Sequence, residues 1–172
     1  MKLWRWMWAG WAALLLGGAL RAGESDFNTG SPFGRIGDRE VNRLMARAQK
    51  DGVDLAGDLR RGYEADDAAL GRVFAYATKF TTLDRDARAY GQAIYSAFLN
   101  LSERRGVEAF AQVVAAQPEP VRQRIRDFIY YDATQAPKKI RAEVEKSMRQ
   151  SAPGLFPAEY VFGRGDPLFS KS

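Results

Sequence analysis

Three observations predict an all-α fold for this chain of 172 residues. Apolar residues recur at steps of three and four from residue 38 to residue 150, the period of a helix that buries one face. No stretch alternates apolar and polar residues long enough to make a strand. Aspartates, glycines and prolines interrupt the periodic runs at the places where helices start and stop. The expected architecture is a compact bundle of about five to six short antiparallel helices. A short solenoid-like helical stack is the alternative, and the lack of a repeated motif counts against it.

The elements follow in order. Asp38 caps a first helix with Val41, Leu44 or Met45, and Ala48 on its apolar face, ending near Gly52. A weaker helix is expected from Asp54 to Arg61. Asp66 or Asp67 caps the next, whose face is Leu70, Val73, Phe74 and Ala77. The strongest pattern runs from Asp84 to Arg105 through Ala87, Tyr90, Ile94, Ala97, Phe98 and Leu101. Acids at its start and Arg104 and Arg105 at its end suit the helix dipole, and Gly106 stops it. Val107 to Gln117 carries Phe110, Val113 and Val114. Pro118 and Pro120 break the chain, and Val121 to Tyr131 carries Val121, Ile125, Phe128 and Ile129. A last helix is expected over 137–150 with Ile140, Val144 and Met148, since proline suits a first turn. Residues 151–172 form an irregular, aromatic-rich tail. Its prolines and glycines prevent a long helix, while Leu155, Phe156, Tyr160, Val161, Phe162, Leu168 and Phe169 invite docking onto the helical body.

Residues 1–22 have the layout of a secretory signal peptide: a basic start at Lys2 and Arg5, an uncharged apolar run over 6–20, then small residues around Ala19 and Ala22. The run is shorter than the roughly 20 residues that a spanning helix prefers. The alternative is an uncleaved membrane anchor, favoured by Trp4, Trp6, Trp8 and Trp11, because indoles prefer the membrane interface. Residues 23–37 read as a linker rich in Gly, Ser, Asn and Pro, ahead of the helical domain at 38–150. Arginine outnumbers lysine and alanine is plentiful, as in a high-GC bacterial gene. A periplasmic or secreted location is the expectation, with anchoring through residues 6–20 as the alternative.

Composition limits the chemistry. The chain has no cysteine and no histidine, which removes disulfides, thiol nucleophiles, imidazole bases and the usual zinc sites. Its formal net charge is +5, but removing residues 1–22 leaves 23 basic and 21 acidic groups, or +2. The apparent basicity therefore belongs largely to the targeting segment. With no reader motif and no glycine-rich phosphate loop, a nucleic-acid partner is not expected. The segment from 122 to 149 is +4 and that from 24 to 67 is −3, which fits intramolecular pairing or self-association.

Several constellations have both a functional and a structural reading. Arg39, Arg43, Arg47 and Lys50 make a basic edge on the first helix. A solvated face, neutralised locally by Glu40 and Asp51, is preferred to a polyanion site. Asp84 and Asp86 read as cap and first-turn residues, and Arg88 and Ala89 break any calcium-loop spacing. Asp66 and Asp67 are adjacent and point in different directions on a helix. Glu103 and Glu108 flank the Gly106 turn, and either would act as a glycosidase-like acid only if buried in a cleft. Of Tyr130 and Tyr131, one must leave the apolar face and is the better contact residue. Tyr90 and Phe128 read as core. The tripeptide Arg164-Gly165-Asp166 reads as turn chemistry before Pro167, and Asn100-Leu101-Ser102 as a glycosylation triplet inside a helix.

No catalytic residue, cofactor or metal ligand is assigned on this basis. The expectation is an exported, non-enzymatic helical domain that binds a protein or envelope component, with transient membrane contact through the signal segment. The alternatives are a carboxylate-dependent hydrolase of an envelope polymer and a membrane-tethered scaffold. N-terminal sequencing of the exported protein is expected to begin at Gly23 or Leu20. A start at Met1 would sink the cleaved-signal reading.

Overall fold

The computed structural model describes residues 37–80, 84–133 and 141–163, and these are helical and packed as a bundle. Seven α-helices lie among the described residues, one more than the upper expectation: α1 (Asp38–Lys50), α2 (Leu55–Tyr63), α3 (Asp67–Ala75), α4 (Ala87–Arg105), α5 (Val107–Ala115), α6 (Glu119–Ala133) and α7 (Arg141–Ser151). The weaker helix expected after Asp54 is among them. The signal segment, the linker up to residue 36 and the start of the last predicted helix lie outside the described residues, as do Leu168, Phe169 and the Arg-Gly-Asp tripeptide.

Local chemistry accounts for most boundaries. Asp54 and Asp66 cap α2 and α3, their carboxylates accepting the Gly57 and Ala69 amides at 3.0 and 2.9 Å. α1 starts differently from expectation: Gly37 is its N-cap, Asp38 is already helical, and no side chain caps the end. Gly52, two residues beyond α1, has φ +74, and Gly106 between α4 and α5 has φ +85, backbone that a side chain would strain. α3 tightens into a 3-10 turn, Tyr76–Lys79.

α4 is the hub of the packing: it meets α1, α2, α5 and α6. In a solenoid each unit would touch only its neighbours, so the bundle is the right description. Tyr90 of α4 is fully buried, and its hydroxyl donates to the Val73 carbonyl at 2.5 Å. Around it Phe80 stacks at 4.5 Å between centroids, while Tyr76 and Phe128 present edges. A second aromatic group joins Phe74, Phe98 and Phe110 across α3, α4 and α5. Tyr90 and Phe128 are thus core, as their spacing implies.

After α7 the chain runs as an irregular strap over residues 152–163. Ala152, Leu155, Phe156 and Tyr160 are buried, so this half of the tail docks in cis. Tight turns fold it, with the Phe156 amide on the Ala152 carbonyl at 2.8 Å and the Tyr160 amide on Pro157 at 3.0 Å. Each buried large side chain contributes about 1.5–3 kcal/mol by leaving water. A chain ending at Ser151 is therefore expected to melt about 10 °C or more below the full chain. An unchanged Tm would mean that the strap adds nothing to the fold.

Candidate functional site

Charged groups in the body are mostly committed to structure. Asp58 on α2 is buried and takes Arg61 at 2.7 Å and Arg72 through both Nε and Nη2 at 2.7–3.3 Å, fastening α2 to α3. Burial pushes its pKa up, but the bonds from Arg72 and Arg61 outweigh that and hold it below the usual carboxylate range. Arg105, at the end of α4, bonds Asp67 at the start of α3 at 2.7 Å.

Asp86 stands at the N-cap of α4, but the carboxylates of Asp84 and Asp86 do not do the capping. Neither side chain bonds the first-turn amides of the helix, although Asp84 accepts the Asp86 amide at 3.1 Å. Instead they receive the basic edge of α1. Arg43 Nε meets Asp86 at 2.5 Å, Arg47 pairs with Asp84, and Arg47 also donates to the Lys79 carbonyl at 3.0 Å. The Arg47 guanidinium lies over the Phe80 ring at 4.7 Å. So Arg43 and Arg47, half of the predicted basic edge, are paired not on their own helix but across the seam between α1 and the loop before α4, with Arg43 still exposed. Arg39 and Lys50 are exposed, as a solvated face requires.

The other sequence candidates separate. Glu103 and Glu108 are both exposed and line neither of the two concavities described below. Among the described residues no group of three or more acidic, His or Cys side chains is placed to hold a metal ion. Tyr130 is buried and donates to Glu145 at 2.6 Å, which leaves Tyr131 as the half-buried member of the pair. Asn100-Leu101-Ser102 lies within α4, with Ser102 buried, an unsuitable setting for glycosylation. Among the described residues no helix is long and apolar enough to cross a membrane.

One region combines a concavity with oriented polar groups. Arg126 of α6 is only 9% exposed, and its Nε donates to the Leu155 carbonyl of the strap at 2.7 Å. Its neighbour Asp127, also buried, accepts the Tyr160 hydroxyl at 2.7 Å and the Gln123 amide at 3.0 Å. Burial, together with the charge of Asp127 and the bond to it, pushes the Tyr160 phenol far above its ordinary value, so the hydroxyl stays a donor. Arg149 of α7 clasps the strap from the other side, donating to the Pro157 and Tyr160 carbonyls at 2.5 and 2.6 Å. Between the strap and the α5–α6 turn lies a groove of about 660 Å³, bordered by Glu119, Arg122, Arg126, Pro157, Tyr160 and Val161. Val161 is the exposed large hydrophobic residue of the described surface, at 46%. A second, shallower concavity of about 520 Å³ between α3 and α5 is lined by Gly71, Ala75 and Ala116. Its Arg72 is already taken by Asp58, and Gln117 donates to Val113.

The groove itself was not foreseen. In the sequence Arg126 contributes only to the +4 of residues 122–149, and Tyr160 and Val161 only to the apolar tail. The chain matches no protein-family model, and comparison with curated proteins and with solved structures gives no match.

The α1 seam yields a pH prediction. Burial raises the Asp84 pKa, but the Arg47 bond, the Asp86 amide and the fields of Arg47 and Arg43 more than reverse this, so it lies below normal. A folded pKa below the unfolded value of about 3.9 gives stability that is present above pH ~4 and is lost as the pH falls through the folded value. Asp84→Asn is expected to cost about 1–2 kcal/mol at pH 7, with the gap to wild type shrinking below pH ~4. Urea unfolding across that range checks it, and a gap that does not change with pH would refute the assignment.

Proposed function

We propose that this protein is an exported helical binding module without catalysis of its own, which holds a partner of the cell envelope in the groove between the strap and the α5–α6 turn. The observation that carries this reading is the pairing of a buried, oriented guanidinium with an exposed apolar side chain, Arg126 and Val161, in one concavity. Recognition sites commonly combine a few placed polar groups with apolar contact. The basic-then-apolar layout of residues 1–22 supports export.

The groove stands out because the charged groups at the helix seams are spent on structure. Arg43, Arg47, Asp84 and Asp86 close the α1 seam, and Asp58, Arg61 and Arg72 the α2–α3 seam. Arg122 bonds Glu119 and also the Ala115 and Gln117 carbonyls, both at 3.2 Å, sealing the α5–α6 turn. Val161 takes part in no such seam, and its exposure is a cost to an isolated domain that a partner would relieve.

Immobilised mature protein is expected to capture at least one envelope protein that its Val161→Asp variant retains about tenfold less well, a loss of about 1.4 kcal/mol. Val161 is exposed, so the substitution spares the fold. Identical capture by both forms would remove the groove as the recognition surface.

A further inference from the structure

We infer that the groove takes an extended peptide segment of a partner that carries one carboxylate beside an apolar side chain. This rests on the reading of the groove as the recognition surface and adds the chemistry of its ligand.

The donors of Arg126 are spent unequally. Its Nε is committed to the Leu155 carbonyl at 2.7 Å, and the guanidinium carbon sits 5.7 Å from the Tyr160 ring centroid. The guanidinium is therefore held by one hydrogen bond and one ring contact. Its ion pair among the described residues is a long one, Nη1 to Glu119 at 3.6 Å, beyond hydrogen-bonding distance. The side chain is nine-tenths buried, yet it borders the groove, and among the described residues its terminal nitrogens make no hydrogen bond. A fixed guanidinium with free terminal donors is matched best by a carboxylate, which accepts two parallel bonds.

The rest of the lining narrows the choice. Glu119 and Glu159 also border the groove, so it carries two acids against Arg122 and Arg126. That balance disfavours a phosphate dianion or a polyanion and admits a single carboxylate. Val161 offers an apolar contact next to Tyr160, while Ala115 and Gly154 leave room for a main chain to approach closely. A volume of about 660 Å³ holds a short peptide stretch rather than a helix or a folded surface.

The test uses two fluorescein-labelled heptapeptide pools and the full mature chain. One pool carries aspartate at the centre, flanked by valine, leucine, isoleucine or phenylalanine, with Gly-Ser ends. The other carries asparagine in place of the aspartate. Fluorescence anisotropy is expected to show the aspartate pool binding at least about tenfold more tightly, a loss of similar size for that pool with Val161→Glu, and no difference between pools with Arg126→Gln. Because Arg126→Gln removes the Leu155 bond, circular dichroism accompanies it, and the exposed Val161→Glu keeps the test decisive if that variant unfolds. Equal binding of the two pools, lost with Val161→Glu, would overturn the carboxylate and leave the groove reading standing. Binding of neither pool would overturn the peptide ligand, while the capture experiment decides the groove separately. A chain ending at Gly163 that binds the aspartate pool more than about tenfold tighter than the full chain would replace the partner with the protein's own residues 164–172 as occupant.

Discussion

Tyr90 carries a hydroxyl into the driest part of the bundle, where burial drives its pKa well above the ordinary phenol value. The group must therefore donate, and a buried donor without an acceptor costs about 1–3 kcal/mol. Its acceptor is the Val73 carbonyl near the end of α3, which also takes the Tyr76 amide where the helix tightens into a 3-10 turn. This bond ties α4 to α3 while the ring packs against Phe80, Tyr76 and Phe128. Four elements thus close around one side chain. A protein without cysteine has no covalent alternative, so its fold depends on such packing being complete.

A second constraint is the number of irregular connections between short helices, each of which leaves carbonyls without helical partners. Arginines answer it repeatedly. Arg47 reaches the Lys79 carbonyl, Arg124 reaches Phe80, and Arg122 reaches Ala115 and Gln117. In the strap, Arg126 reaches Leu155 and Arg149 reaches Pro157 and Tyr160. A planar fork of five donors can bridge a carbonyl and a carboxylate at once, or a carbonyl and an aromatic face, which a lysine ammonium does less well. The excess of arginine over lysine thus has a structural use here, whatever its compositional origin.

These two constraints explain what was legible in the sequence. Helix identity was, because period and punctuation are local: Asp54, Asp66 and Gly106 stand at the ends of helices. Burial of Tyr90, Phe128, Leu155 and Phe156 followed from spacing and from apolarity. Partners were not legible, because they depend on how helices return in space. Arg43 had Glu40 within reach along its own helix, yet it pairs with Asp86, 43 residues away. Asp86 stands at the N-cap of α4 as the same local logic expects, yet the carboxylates of Asp84 and Asp86 go to long-range arginines. The groove has the same origin: Arg126 and Val161 come together only when the strap folds back over α6, a placement no periodicity encodes.

Strap and groove share a residue, and this links stability to binding. Arg126 holds the strap through Nε and also borders the groove, while Tyr160 and Val161 belong to the strap itself. The groove wall exists only while the strap is docked. Docking draws on the buried rings of Phe156 and Tyr160, on the Asp127–Tyr160 bond and on the Arg149 clasp, none of which requires a ligand. A ligand on the terminal nitrogens of Arg126 would therefore find its donor already oriented, with most of the ordering cost met during folding. Binding would in turn hold the strap in place, since anything that binds only the docked form stabilises it. The irregular, proline-rich composition of this segment fits that role, because a helix here would have presented its own bonded backbone and left Arg126 no carbonyl to grip.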